Sequence, residues 1–234
     1  LRFSTEYTID GNNKEVFIGK DLTYNFNGAT GELVISGTGP MYDYSFDKEM
    51  HGIAASFDSV FELPEWYDVR KEIKSMQIGN LTVENPLFLA PMAGVTDWAF
   101  RTVCARLGAG VTVTEMVSSR ALVYKDKKTA KLLRKNEGSL CGAQIFGNDP
   151  EIMAQGAVLA LEISGCDFLD INMGCPMPKI AGSGDGCGLM RTPELAQKIV
   201  EAVAAAVHVP VTVKCRLGWD KGSINVLEFT KRME

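Results

Sequence analysis

The chain has 234 residues, of which 46% are hydrophobic and 23% charged, with a net charge of −5. That is an ordinary globular composition, long enough for one large domain or two modest ones. No apolar run approaches the ~18 residues of a membrane span, and His51 and His208 are the only histidines, which argues against a zinc site.

The chain opens on Leu1. The expectation from that start is either a removed signal peptide or a fragment. Residues 1–75 carry 13 acids and 7 bases, whereas residues 76–234 carry 16 and 17. The first stretch also holds 12 of the 20 aromatic residues and none of the six cysteines. Within it, "LTYNFNGATGELVISGTGPMYDY" predicts two short strands around a turn, with Asn27-Gly28 and Thr30-Gly31 as turn residues. No cluster of catalytic residue types occurs there. "GELVISGTGPMYDY" followed by "PEWYDVRKEIKSMQIGN" resembles the leader of BspA-like leucine-rich-repeat surface proteins. Residues 1–75 are therefore expected to form a separate β-rich segment.

After Met76 the pattern changes. Short apolar runs alternate with amphipathic ones: "LFLAPMAG" then "DWAFRTVCARLG", "VTVTEMVSS" then "KKTAKLLRK", "LCGAQIFG" then "DPEIMAQGAVLALEISG", "FLDINMGCP" then "TPELAQKIVEAVAAAV", and "VPVTVKCRLGW" then "SINVLEFTKRME". About five βα units in a row predict an α/β fold with a parallel sheet. The strands end in small or polar residues: Pro91-Met92-Ala93, Glu115, Gln144, Asn172 to Cys175, and Lys214 with Arg216. In a (β/α)8 TIM barrel such positions converge on one mouth. A doubly wound open sheet is the competing architecture, made less favourable because no GxGxxG follows the first strand.

Several residues are candidates for chemistry. Cys175 stands between Gly174 and Pro176 at a strand tip. It is either a buried small hydrophobe or a thiol presented at the mouth, able to give up a proton. Its placement favours the second reading. Lys214 lies in the apolar "VTVKC". It either snorkels to the rim or offers a cation to an anionic ring or phosphate. Gln144 either bridges strands or reads the polar edge of a ligand. "PMAGVTD" lets backbone approach a flat ligand, while Asp97 reads as the cap of the next helix. "GSGDGCGLM", which includes Cys187, reads as a mobile lid or a plain connector. "KDKKTAKLLRK" is a solvated helix face or a polyanion contact. Cysteines scattered without CxxC spacing suit a reducing cytoplasm.

From about residue 76 the chain resembles the tRNA-dihydrouridine synthase family, its DusB-like branch most closely. The motifs are "IGN…NPLFLAPMAGVTD", "TEMVSS", "QIFGNDP", "DINMGCPMPKI", "GDGCGLM" and "VTVKCRLGW". The resemblance implies FMN at the mouth of a (β/α)8 barrel, reduced by NADPH. It implies a hydride passed to C6 of a tRNA uracil and a cysteine that protonates C5. On the matching positions it implies Cys175 as the acid, flavin contacts at Pro91, Met92, Ala93, Gln144 and Lys214, and Asn172 as a substrate contact. The scattered cysteines, the two histidines and the lack of a long apolar run together give the expectation of a cytoplasmic location without a metal or a membrane.

That family has eight barrel strands, against the five βα units read here. The expectation is a partial barrel that lacks a flavin-contacting histidine, the phosphate loops and a helical tRNA-gripping domain, and that is inactive alone. Two other functions compete: a dihydroorotate-dehydrogenase-like pyrimidine reductase on an FMN barrel, and a non-catalytic surface or binding protein carried by residues 1–75.

Overall fold

The computed structural model describes residues 76–234 and, before them, five short strands. The turn at 28–31 and the stretch 38–75, with "PEWYDVRKEIKS", lie outside the described residues. The chain divides into two compact units, Arg2–Gln77 and Ile78–Glu234. In the first, β1 (Thr8–Ile9) pairs antiparallel with β2 (Asn12–Asn13). There β3 (Val16–Gly19), β4 (Leu22–Asn27) and β5 (Glu32–Gly37) form an antiparallel sheet in that order. The β4–β5 register runs from Leu22↔Gly37 to Asn27↔Glu32, the two short strands that the pattern predicts there.

A short two-stranded sheet follows, formed by β6 (Met76–Ile78) and β7 (Leu81–Val83). The parallel sheet then begins with β8 (Phe88–Leu89) and continues through β9 (Val111–Val113), β11 (Leu140–Phe146), β12 (Phe168–Met173) and β13 (Val211–Cys215). A two-residue strand, β10 (Val117–Ser118), pairs with β11 alone. The spatial order β8-β9-β11-β12-β13 repeats the chain order. A doubly wound sheet reverses its order at a switch point, and this one never does. The architecture is a curled α/β sheet, a partial (β/α)8 barrel.

The helices follow from local signals. In α1 (Trp98–Arg106), Asp97 accepts from Phe100 N at 2.8 Å, so it is the cap the sequence suggests. In α4 (Pro150–Ser164), Asp149 caps Glu151 N and Ile152 N, Pro150 takes the first turn, and Gly165 ends the helix at φ 61°. Between β10 and β11 run α2 (Ser119–Val123) and α3 (Lys127–Leu132). The last long helices are α6 (Pro193–Ala206) and α7 (Val226–Met233).

One face of the sheet packs on α4 and α6. Cys141, Ala143 and Ile145 of β11 and Leu169, Ile171 and Met173 of β12 meet Met153, Ala157, Ala160, Ala196, Ile199 and Val203 there. All are buried, the larger side chains contributing roughly 1.5–3 kcal/mol each by removal from water and the alanines about 0.8 kcal/mol or less. The alternate residues face the other way, and only their lower layer is apolar. Gly142 pairs with Phe168, and higher up come Gln144, Asp170, Asn172, Thr212 and Lys214. The near-continuous apolar look of these strands therefore conceals a polar interior face.

Two stretches differ from the sequence reading. "VTVTEMVSS" is not one strand. It breaks after Val113, Thr114 Oγ1 turns to Glu115 O, and the ladder resumes at Val117. "GSGDGCGLM" is neither a lid nor a plain connector. After the short α5 (Pro178–Ala181), residues Gly186–Arg191 form a 3-10 helix whose Cys187, Leu189 and Met190 sit in the core. Three apolar side chains in that segment favour burial over a swinging loop.

Candidate functional site at the carboxyl ends of the strands

The strand ends carry a connected set of polar side chains. Asp170 lies in the middle of β12, wholly within the sheet. Its carboxylate accepts from Thr212 Oγ1 of β13 and from Gln144 Nε2 of β11, both at 2.5 Å. Parallel register sets these three side by side, with Gln144 opposite Asp170 and Asp170 opposite Thr212. One layer further on, Asn172 Nδ2 donates to Gln144 Oε1 at 3.0 Å. Asn172 Oδ1 then accepts from Gly174 N at 3.2 Å and Cys175 N at 2.9 Å.

Cys175 is thus held at its N–H by Asn172. Its C=O accepts from Cys187 N at 3.0 Å. Gly186, at φ 55°, makes that approach possible, because a Cβ there would come within 2.8 Å of Cys175 O. The side chain of Cys175 is half-buried, unlike buried Cys187, whose thiol burial pushes up. Cys141 and Cys166, with Sγ atoms 3.7 Å apart, belong to the core between sheet and helices.

Lys214 pairs in register with Asn172 and is exposed. The desolvation cost expected of a lysine in an apolar strand is therefore not incurred. Burial pushes the Asp170 carboxyl up to about 6, against the pull of its Thr212 and Gln144 hydrogen bonds and of the Lys214 charge.

Pro91, Met92 and Ala93 follow β8. Met92 N donates to Thr96 Oγ1 at 2.9 Å, and Met92 O accepts from Val95 N and Thr96 N. This tight turn leaves Met92 and Ala93 exposed. Gly94 N donates to buried Glu115 at 2.5 Å, tying the turn to the end of β9. Gln144, Asn172 and Cys175 are therefore joined through hydrogen bonds, Lys214 is placed beside them by register, and Pro91 to Ala93 belong to a separate turn anchored by Glu115.

Asp170 and Thr212 were not singled out from the sequence. The signal was present as a spacing of two: Asp170 with Asn172, and Thr212 with Lys214, each pair on one face of its strand.

Two of the six basic residues in the stretch 125–135 are engaged, and Lys125, Lys128 and Lys131 are exposed. Asp126 caps α3, the Arg134 guanidinium lies 3.5 Å from the Trp98 ring centre, and Lys135 Nζ pairs with Asp167 at 2.6 Å. A cavity of about 530 Å³ beside Lys131, Arg134 and Ser164 lies at the opposite ends of the strands from Cys175. Among the described residues, no cluster of His, Cys, Asp and Glu could hold a metal ion, and no helix is long and apolar enough to cross a membrane.

The sequence profile of the dihydrouridine synthase (Dus) family matches residues 88–234. The chain belongs to that family. It is 42% identical over 160 residues to tRNA-dihydrouridine synthase B of Vibrio vulnificus (strain CMCP6), covering 68% of this chain and 49% of the relative. The Pseudomonas putida (strain KT2440) protein of the same name is 44% identical over 164 residues, 69% of this chain and 48% of its own. That of Shewanella oneidensis (strain MR-1) is 44% identical over 160 residues, 68% and 49%. This Dus-family chain spans about half the length of the curated relatives it matches.

Proposed function

We infer that this Dus-family chain supplies the proton donor, Cys175, and part of the flavin site for the flavin-dependent reduction of uridine to 5,6-dihydrouridine in tRNA, a reaction that needs all eight barrel strands. The observation that carries this reading is the main-chain clamp on Cys175, which leaves its thiol the one part of the residue not engaged at the strand ends. A uracil reaching it must leave its stack, as bases do for enzymes that work on their ring atoms.

The donor set fits an isoalloxazine. Lys214 offers an exposed cation for the anionic side of the ring. Gln144 Nε2 has a second N–H beyond the one given to Asp170. The exposed Met92 and Ala93 turn offers an apolar shelf at the other side of the sheet's end. Lys214, Gln144 and the Met92–Ala93 turn would hold FMN, which, reduced by NADPH, would supply a hydride for C6 of the uracil. The Cys175 Sγ–H proton goes to C5, so that the C5=C6 double bond takes up one hydride and one proton. Asn172 holds the donor in place and presents its amide toward the substrate base. A tRNA substrate puts the protein in the cytoplasm. Residues 1–75 we read as a separate β-rich segment that takes no part in this chemistry.

The test is dihydrouridine formation on an unmodified tRNA transcript, with FMN and NADPH, by this chain extended through all eight barrel strands, beside a parallel assay on orotate. Cys175→Ala should lower the rate roughly 10²–10⁴-fold, the usual worth of a positioned acid. Cys187→Ala should be much milder. A wild-type rate from Cys175→Ala, or reduction of orotate in place of tRNA, overturns the reading.

A further inference from the structure

The hydrogen bonds between Thr212 and the Cys175 loop all point toward Asp170. Thr212 Oγ1 and Gln144 Nε2 both donate into Asp170. Asn172 Nδ2 donates to Gln144 Oε1, and the Gly174 and Cys175 amides donate to Asn172 Oδ1. Two members, Gln144 and Asn172, are carboxamides. Their oxygen and nitrogen ends have nearly the same shape, so packing alone does not choose which way each faces. The two termini choose. A carboxylate only accepts and a main-chain N–H only donates, and a single arrangement of both amides satisfies every group between them.

We propose that Asp170 is a positioning residue: as the acceptor-only base of this chain it fixes the facing of Gln144 and Asn172, and thereby keeps Asn172 Oδ1 beneath the amides that hold the Cys175 loop. Its bearing on catalysis rests on the reading of Cys175 as the proton donor. Asparagine at position 170 has the same outline but can donate. Gln144 is then free to turn over and accept from it, presenting Nε2 to Asn172. Asn172 must turn in response, which puts its Nδ2 against two N–H donors and leaves both without an acceptor. A purely local deletion at Asp170 has no reason to be felt at Cys175. A reversal of polarity does.

Residue-resolved hydrogen exchange on the whole chain reads this directly. In Asp170→Asn the Gly174 and Cys175 amides should exchange about tenfold faster or more, the worth of one or two lost hydrogen bonds. The Leu169 and Ile171 amides, held in the sheet, should be unchanged. Adding Asn172→Asp places an acceptor-only group directly under the loop, so the double variant should regain the lost protection. Unchanged exchange at 174 and 175 in the single variant overturns the proposal, and so does failure of the double variant to recover it. If Asp170→Asn does not fold, the wild-type chain still decides. Nuclear Overhauser contacts from the Asn172 side-chain NH2 protons should run to Gln144. Contacts running to the Cys175 amide proton instead would contradict it. No readout here needs turnover, so an eight-stranded version that makes no dihydrouridine sinks the functional reading and leaves this proposal to be judged on exchange alone.

Discussion

The ring of Phe168 occupies the space above Gly142 on the neighbouring strand: a Cβ at Gly142 would stand 2.4 Å from both Cε2 and Cζ of that ring. The two residues are register partners, and the phenyl fills the interior layer that the glycine leaves open. Gly142→Ala should therefore overpack this layer and destabilise the fold by about 1–3 kcal/mol. Phe168→Leu in the same background should recover part of the loss, because the clash is with the ring edge. Chemical denaturation of the single and double variants checks both. Additive losses would mean that the pair does not share the space.

Asp170 gives the stability a pH dependence of definite sign. Burial lifts its carboxyl from 3.8 to about 6, so between those values the folded chain holds a proton that the unfolded chain has released. Its contribution to stability is full below the unfolded value, is lost as pH rises through about 6, and is flat above. The charged form at neutral pH costs roughly 3 kcal/mol relative to the protonated one. The difference in unfolding free energy between wild type and Asp170→Asn should change by up to that amount between about pH 4 and pH 7.5. A constant difference across the range would show that the carboxylate is not isolated from water.

Lys214 is exposed, so Lys214→Met should leave the melting temperature nearly unchanged. If its ammonium meets the flavin, FMN affinity of the version extended through all eight strands should fall about tenfold or more, the worth of one charge-assisted hydrogen bond. Quenching of FMN fluorescence on titration measures this. The same substitution removes the nearest cation acting on Asp170, so that carboxyl should titrate higher still. Unaltered FMN binding together with a lowered melting temperature would make Lys214 a structural residue.

The parts of the fold legible in the sequence were those governed by local rules. Alternating apolar runs give the βα order and Asp97 gives a helix start, because each acts within one turn of its own position; the same local rules account for Asp149 and Gly165 at the ends of α4. "MGCP" was legible as a strand tip for the same reason. What escaped depended on partners far along the chain. Asp170 looks like a polar interruption of "FLDINM" until Gln144 and Thr212, 26 and 42 residues away, are brought against it. Cys187 looked like part of a glycine-rich connector because nothing local announces that Leu189 and Met190 beside it are buried against β12 and β13. Glu115 reads locally as a strand end, but its hold on Gly94 N exists only once β8 lies beside β9.

The clamp on Cys175 has a practical meaning. Its two anchors, N–H to Asn172 and C=O from Cys187, are made by atoms that almost every amino acid possesses. The address of position 175 is thus written in the main chain, and the side chain is cargo. Serine, selenocysteine or a thiol carrying a spectroscopic tag should be delivered to the same point as the native sulfur. The position is a fixed holder in which the reactive group can be exchanged, and the effect of the exchange read without first asking whether the holder has moved.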